Sequence, residues 1–440
     1  MFFRIITLMF FLIILVFFIK YDFKKAILGY YTFFNLLLSF ISCIAIESGI
    51  YISELQTNSY PTGGYIRLFA YLLVFLVVFE LSTKKERNIE NFEIDDNGTL
   101  NKTFYKYILI FSMICIAYLY LDMIIIGIPL LHNTLPNKYN YFIELKHLPI
   151  ISKIYSILIF YLPSILGIIY QKTKKRKTKN IILIIEIFLS IYVILLGFKV
   201  SGLRNIIIGF LVPILYIKTI RHEIKFDFKL IKKFLFLFMI FIIAIMVNYS
   251  VFSNGVAAKD KLFSRVFALT SHFWWVTDEY RISNKISSGE IVKNFKDIIK
   301  YIIHQEDVYS GNVGVTKLMY KFAPATTTYF YLKDHVRMGA SFITVSVYDF
   351  GYIITFFIVI LCAFIYSKLI NSYGKSLRNC DFIEIILYNR LLIYFEVFLW
   401  STGTITEFLN AESVAIIIVL LIYNIIKKRK NKHDENFKKD

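Results

Sequence analysis

Long apolar runs alternate with short clusters of lysine and arginine from one end of the chain to the other. "NIILIIEIFLSIYVILLGF" (180–198) is followed by "KVSGLRN" (199–205) and then by "IIIGFLVPILYI" (206–217). Runs of about 18 or more apolar residues have the length of a helix that crosses the hydrocarbon of a bilayer. With 57% apolar and 18% charged residues, the chain carries more apolar surface than a soluble fold can bury. The expected class is therefore an all-α polytopic membrane protein.

Hydropathy places about eleven spans, with limits near 2–19, 26–50, 65–82, 105–127, 154–170, 181–198, 205–218, 234–252, 343–367, 382–401 and 411–426. The seventh is short and holds Pro213, which predicts a kink whose freed backbone groups a neighbouring helix must satisfy. The N-terminal stretch "MFFRIITLMFFLIILVFFIKYDFKK" lacks a small-residue cleavage site, so it reads as a retained first span. The net charge of +19 does not point to nucleic acid, because the cations sit in loops: "KYDFKK", "KKER", "KTKKRKTK", "KTIRHEIKFDFKLIKK", "KLINSYGKSLR" and the tail "KKRKNKHDENFKKD". Placing all of these in the cytoplasm puts the C-terminus inside and the N-terminus outside. "KVSGLRN" then falls on the outer face, with Arg204 at the external interface.

The division that follows is an N-terminal bundle of about eight spans over 1–252, a large external loop at 253–342, about three more spans over 343–426 and a basic tail at 427–440. A loop of that length is usually functional. Within it, "GEIVKNFKDIIKYIIHQED" (289–307) repeats Ile291, Phe295, Ile298, Ile299 and Ile302 at helical spacing. This predicts an amphipathic helix that rests on the bilayer or caps a cavity. The four cysteines make no disulfide framework: Cys43, Cys115 and Cys362 lie in apolar runs and Cys380 in a basic loop.

No phosphate loop, HExxH or GxSxG motif occurs, and the seven histidines are scattered. The expectation is no metal and no cofactor. What remains on the outer face is Arg204, Arg265, Arg281 and Arg337, with His272 and His335; Arg4 and Arg67 read as membrane-edge anchors. Arginine grips phosphate through two parallel charge-assisted hydrogen bonds, which suits a diphosphate at the membrane surface. Histidine titrates near neutrality and can take a proton from a sugar hydroxyl. Against this stands the plainer reading of each as a solvated loop side chain, or of Arg204 as a side chain snorkelling to headgroups. Arg390, Glu396, Asp122, Glu186 and Asp349 lie in or near spans, where charged groups face the bundle interior and find partners.

Four stretches resemble the bacterial O-antigen and capsule repeat-unit polymerases of the Wzy type. "IIIGIPLL" (124–131) is similar to the family's apolar-Gly-Ile-Pro-Leu-Leu span ending, and "GFKVSGLRNIIIGFL" (197–211) to its hairpin of small residues followed by arginine. The single large external loop is the third likeness. "MGASFITVSVYDFGYIITFFIVILCAF" (338–364) resembles the family's Gly-x-Ser-Phe opening of a span, followed by an aromatic-acidic-aromatic-glycine segment. The chain departs from family members that have more spans and a cytoplasmic N-terminus, and from their spaced arginine-to-glycine patterns.

The resemblance implies glycosyl transfer at the outer face of a cell inner membrane, independent of metal. A growing glycan on undecaprenyl diphosphate passes to a repeat unit on the same carrier. That carrier-linked oligosaccharide and membrane lipids are the implied partners, together with a chain-length regulator protein. Arg204, Arg265 and Arg281 are then expected to hold diphosphate, and His335, Arg337 and His272 to serve catalysis, Arg337 first among the loop arginines because His335 and Gly339 flank it. Aromatics in "SHFWW" and "TTTYFYLK" would stack on sugars or anchor at the interface. A flippase or exporter of lipid-linked glycans and an O-antigen ligase are the alternatives.

Overall fold

The structure is a computed structural model that describes residues 2–84, 102–129, 141, 150–196, 201–223, 268–304, 311–333 and 336–437. Helices α1 (Phe2–Tyr21), α2 (Phe23–Leu28) and α3 (Tyr30–Glu47) lead to a small antiparallel hairpin, Tyr51–Ile52 with Thr57–Asn58, and then to α4 (Gly64–Lys84). Next come α5 (Lys102–Ile126), α6 (Ile150–Phe160), α7 (Leu162–Lys172), α8 (Arg176–Leu195) and α9 (Ser201–Ile220). The expected external loop supplies α10 (His272–Ser283), α11 (Ser288–His304), α12 (Gly314–Phe322) and α13 (Ala325–Lys333). The chain ends in α14 (Phe342–Asn379), α15 (Phe382–Val397), a π-turn at Phe398–Thr402, a 3-10 turn at Ile405–Glu407 and α16 (Ala411–Phe437).

The protein is all-α, and seven of the described helices are long and apolar enough to cross a membrane, eight if α6 and α7 form one span bent by 42°. The bend follows from Pro163 in the first turn of α7, because proline cannot donate to the preceding turn. Helix exists at both of the last expected spans, but α15 has only 16 residues, and in α16 only residues 413–426 separate Glu412 from Lys427. The expected span at 234–252 lies outside the described residues.

Two apolar cores fill the bundle. One gathers α1, α3, α4, α14 and α15 around Phe40, Phe75, Tyr366 and Phe395; the other gathers α5 to α9 around Leu119, Leu166, Leu189 and Tyr192. Helix α9 packs closely on α7 because Gly167 has no side chain: a Cβ there would sit 2.4 Å from the carbonyl oxygen of Phe210. Small residues at such crossings let two backbones approach in lipid, where no solvent drives helices together.

Helix α14 is two arms rather than one rod. Phe342, at its start, packs against Phe75 in the middle of α4, whereas Tyr352 bonds to Asp278 beside the first turn of α4. The chain therefore climbs along α4 over 342–350 and reverses at Gly351, whose φ of 75° and ψ of 179° no helix contains. It then descends, so that Tyr366 returns to Phe75 and Phe79. The span expected at 343–367 thus begins with a short re-entrant arm. The segment before it dips in with it: Ser271 donates to the carbonyl of Ser39 at 2.7 Å, and the Ala340 amide to the carbonyl of Ser401 at 3.1 Å.

Helix α11 is amphipathic as its spacing predicts. Val292, Phe295, Ile299 and Ile303 face outward, while Asn294 turns inward and donates to the carbonyl of Asp349 at 2.8 Å. An apolar face turned outward suits a helix lying on acyl chains rather than one capping a cavity.

Gly351→Ala is expected to lower stability by on the order of 1–3 kcal/mol, since that backbone conformation is open essentially to glycine alone. Thermal unfolding of the detergent-solubilised protein checks it, with Gly289→Ala, which would meet nothing within 4 Å, as the matched control.

Candidate functional site

Arg204 stands in the first turn of α9, where the helix dipole disfavours a cation. What holds it there is the face of Tyr31, 4.1 Å from the guanidinium carbon, and the side-chain oxygen of Asn205, which accepts from Nε at 3.3 Å and Nη2 at 3.0 Å. The side chain is partly buried and lines a cavity of about 40 Å³ with Tyr30, Asn205, Tyr373, Asn389 and Glu396. Glu396, on α15, accepts from the Tyr366 hydroxyl at 2.9 Å. Such a volume holds roughly three waters, so larger guests require the helices to part. Arg204 is therefore turned into the bundle between α3, α9, α14 and α15, an arrangement unlike the alternative reading of a side chain snorkelling to headgroups.

Five other described arginines face carboxylates. Arg67 clasps Asp278 with Nε at 2.6 Å and Nη2 at 2.5 Å, in the two-pronged geometry that favours guanidinium over ammonium. Arg281 donates to the carbonyl of Tyr348 and, at 2.6 Å, to Glu290. Arg337 pairs with Glu407, Arg390 with Glu412 at 3.0 Å, and Arg4 stands 4.0 Å from Glu47. Among the described residues, Arg204 alone of these six has no carboxylate within 4.0 Å. Its acidic counterpart is Glu396, across the cavity.

Of the expected catalytic set, Arg337 is paired with Glu407, His272 is buried and His335 lies outside the described residues. His272 has no exposed surface; its Nδ1 meets the carbonyl of Leu269 at 2.8 Å and its Nε2 has no partner. Burial there holds the imidazole below its usual range, and the ring cannot reach a hydroxyl outside the core. Arg281 is 4% exposed and acts as a strut between α10 and the break in α14. His335 and Arg265 lie outside the described residues, as do residues 197–200 of the arginine hairpin. Trp274 and Trp275 neither stack on sugar nor anchor at the interface: both are buried, donating to the carbonyls of Gly64 at 3.1 Å and Tyr60 at 3.0 Å. Tyr329 and Phe330, in "TTTYFYLK", are exposed.

Three polar clusters were not legible in the sequence. Asp278 is fully buried yet accepts from Arg67 and from Tyr352 at 2.9 Å, so Arg67 is a core partner rather than a membrane-edge anchor. Glu47, also buried, accepts from the amides of Thr62, Gly63 and Gly64 and so caps α4. Lys317 donates to Asp349 at 2.7 Å and Asn294 at 2.9 Å, pinning α12 and α11 to the re-entrant arm. The one available signal was an acid in an otherwise apolar or aromatic run, as at Glu47 and Asp278. Its partners lie 15 to 211 residues away.

Among the described residues no three His, Cys, Asp or Glu side chains gather as metal ligands would. A protein-family model described as a family of unknown function, DUF6418, matches residues 309–417. No curated protein and no solved structure matches the chain. The matched stretch holds the Gly351 break and Glu396 and leaves Arg204 and Arg67 outside it.

Two outcomes follow. Arg67→Leu leaves Asp278 buried without its cation and is expected to cost on the order of 3–5 kcal/mol, whereas Arg67→Leu combined with Asp278→Leu recovers most of it; unfolding temperatures of the two variants test this. Because its folded-state pKa is depressed, neutral His272 contributes stability that is present above about pH 6.5 and lost as pH falls below it. Thermal melts between about pH 5 and 8 should show that loss, and His272→Gln should flatten it.

Proposed function

We propose that this chain is a membrane glycosyltransferase that polymerises oligosaccharide units carried on undecaprenyl diphosphate, as in the Wzy-type polymerases it resembles. The proposal includes about eleven spans, a cytoplasmic C-terminus and an external assembly spanning 253–342 at the outer face of a cell inner membrane. The observation that carries it is Arg204: a cation at the head of α9, aimed into a polar cavity with no carboxylate within 4.0 Å among the described residues and with Glu396 across the cavity, while its counterparts are in direct ion pairs. A guanidinium with free donors inside a membrane bundle is a group that an anionic ligand can engage.

In the reaction, a hydroxyl oxygen of the acceptor sugar bonds to the anomeric carbon of the donor glycan. The bond from that carbon to the diphosphate oxygen breaks, the lipid diphosphate leaves with the electron pair, and the hydroxyl proton passes to a base. Arg204 would stabilise the charge that grows on the departing diphosphate; one well-aimed donor of this kind is worth about 3–4 kcal/mol. His272 is too deep to be the base, which leaves His335 as the histidine of the proposal.

One observation favours a second reading. Arg204 and Glu396 face one another inside the bundle, as the groups of a flippase or exporter for lipid-linked glycans would. Deletion of the gene separates these: loss of a polymerase removes the glycan ladder and keeps a single-unit band, and loss of a flippase removes both. An O-antigen ligase would instead leave polymer unattached to lipid A core.

Arg204→Ala is expected to abolish chain extension at normal protein level. Arg204→Lys should restore only part of it, since the two-pronged geometry is lost. Surface-glycan gels at matched expression provide the measurement; a full ladder from both variants would sink the proposal.

A further inference from the structure

A basic pocket stands at the end of the bundle away from α10. Helix α4 begins beside Asp278 and, at 21 residues, is about 30 Å long, the thickness of a bilayer's hydrocarbon. At its far end the carbonyl of Thr83 accepts from Lys25 of α2 at 3.3 Å. There α2, α9 and α14 enclose an opening of about 30 Å³ whose polar lining includes Lys24, Lys25, Asn371 and Arg378. Gly374 makes the space: a Cβ there would stand 2.7 Å from the Tyr216 hydroxyl oxygen and 3.0 Å from Leu28. Three cations meet, and among the described residues no carboxylate lines the opening. Lys25 is already paired, with Asp22 at 3.0 Å. Arg378 is not: its side chain makes no hydrogen bond or ion pair among the described residues. The amide nitrogen of Asn371 is buried there without an acceptor. A buried donor left unsatisfied is uncommon and calls for an explanation, and here a free guanidinium lines the same opening.

We infer that this pocket binds a phosphate group, whose non-bridging oxygens accept from the Asn371 amide and the Arg378 guanidinium. An opening of that volume holds roughly two waters, so two phosphate oxygens enter and the rest of the ligand stays at the mouth. The forked donors of arginine match such a pair of oxygens. The phosphate comes from a lipid headgroup or from solution, and a basic pocket between helices at a bilayer face is the arrangement that takes headgroups. Under the topology proposed above this face is the cytoplasmic one. The inference does not rest on the polymerase reading: Arg204 lines a different cavity, at the opposite end of α9 from Tyr216.

The test exchanges the full-length protein into an uncharged detergent and titrates it with phosphatidylglycerol, with the matching diacylglycerol that lacks the phosphate, and with inorganic phosphate. Binding is read as adducts in native mass spectrometry and as the rise in unfolding temperature that a ligand of the folded state produces. Phosphatidylglycerol is expected to leave a retained adduct where diacylglycerol leaves none. Arg378→Gln should weaken that binding about tenfold, the scale of one lost hydrogen bond to a charged group. Lys375→Gln removes an exposed cation on the neighbouring turn that does not line the pocket, and should leave binding unchanged. Asn371→Leu is the second variant should the first fail to fold, and it too should weaken binding. Displacement of the lipid adduct by inorganic phosphate assigns the site to the free ion, and its persistence assigns it to the headgroup; either result supports a phosphate site. Equal losses in Arg378→Gln and Lys375→Gln, wild-type binding in both pocket variants, or diacylglycerol binding as tight as phosphatidylglycerol overturns the inference.

Discussion

A single buried carboxylate holds α10 to the bundle. Asp278, on α10, is gripped by Arg67 from the first turn of α4 and by Tyr352 from the start of the descending arm of α14. Gly64 lets this happen, because a Cβ there would stand 2.7 Å from the Asp278 oxygen. An ionised carboxylate is costly to bury alone, so the three elements it joins form and pack together. The re-entrant arm and its reversal at Gly351 both depend on that junction.

Set beside this junction, the remaining arginines separate into two kinds. Arg67, Arg281, Arg337 and Arg390 find carboxylates within the chain and brace helix to helix. Arg204 rests on an aromatic face and a neutral amide, contacts that position a guanidinium without cancelling its charge. In a low-dielectric interior the second kind is expensive, and the acid that faces it is Glu396 across the cavity.

Hydropathy and composition were enough for the class, because spanning length and backbone satisfaction are local demands that a run of apolar residues meets by itself. The helical spacing of Phe295 and Ile299 was equally legible in α11. Arg204 could be singled out because a cation beside two apolar runs is conspicuous on sequence alone. Its direction could not be, since inward or outward pointing is set by Tyr31, 173 residues earlier, and by the cavity that Glu396 closes from α15.

Tertiary structure alone decided the rest. His272 and Arg281 look like surface chemistry in a polar loop, yet the loop folds into the bundle and buries both. Arg67 looks like a headgroup anchor until Asp278 arrives from the far side of the sequence. Gly351 sits in a run that reads as one uninterrupted span, and only its backbone angles reveal the reversal. The physical reason is common to these cases. Hydrophobicity and helical period act over one or two turns and are written in neighbouring residues. Charge pairing and burial depend on which distant side chains meet, and that is fixed only when the helices pack.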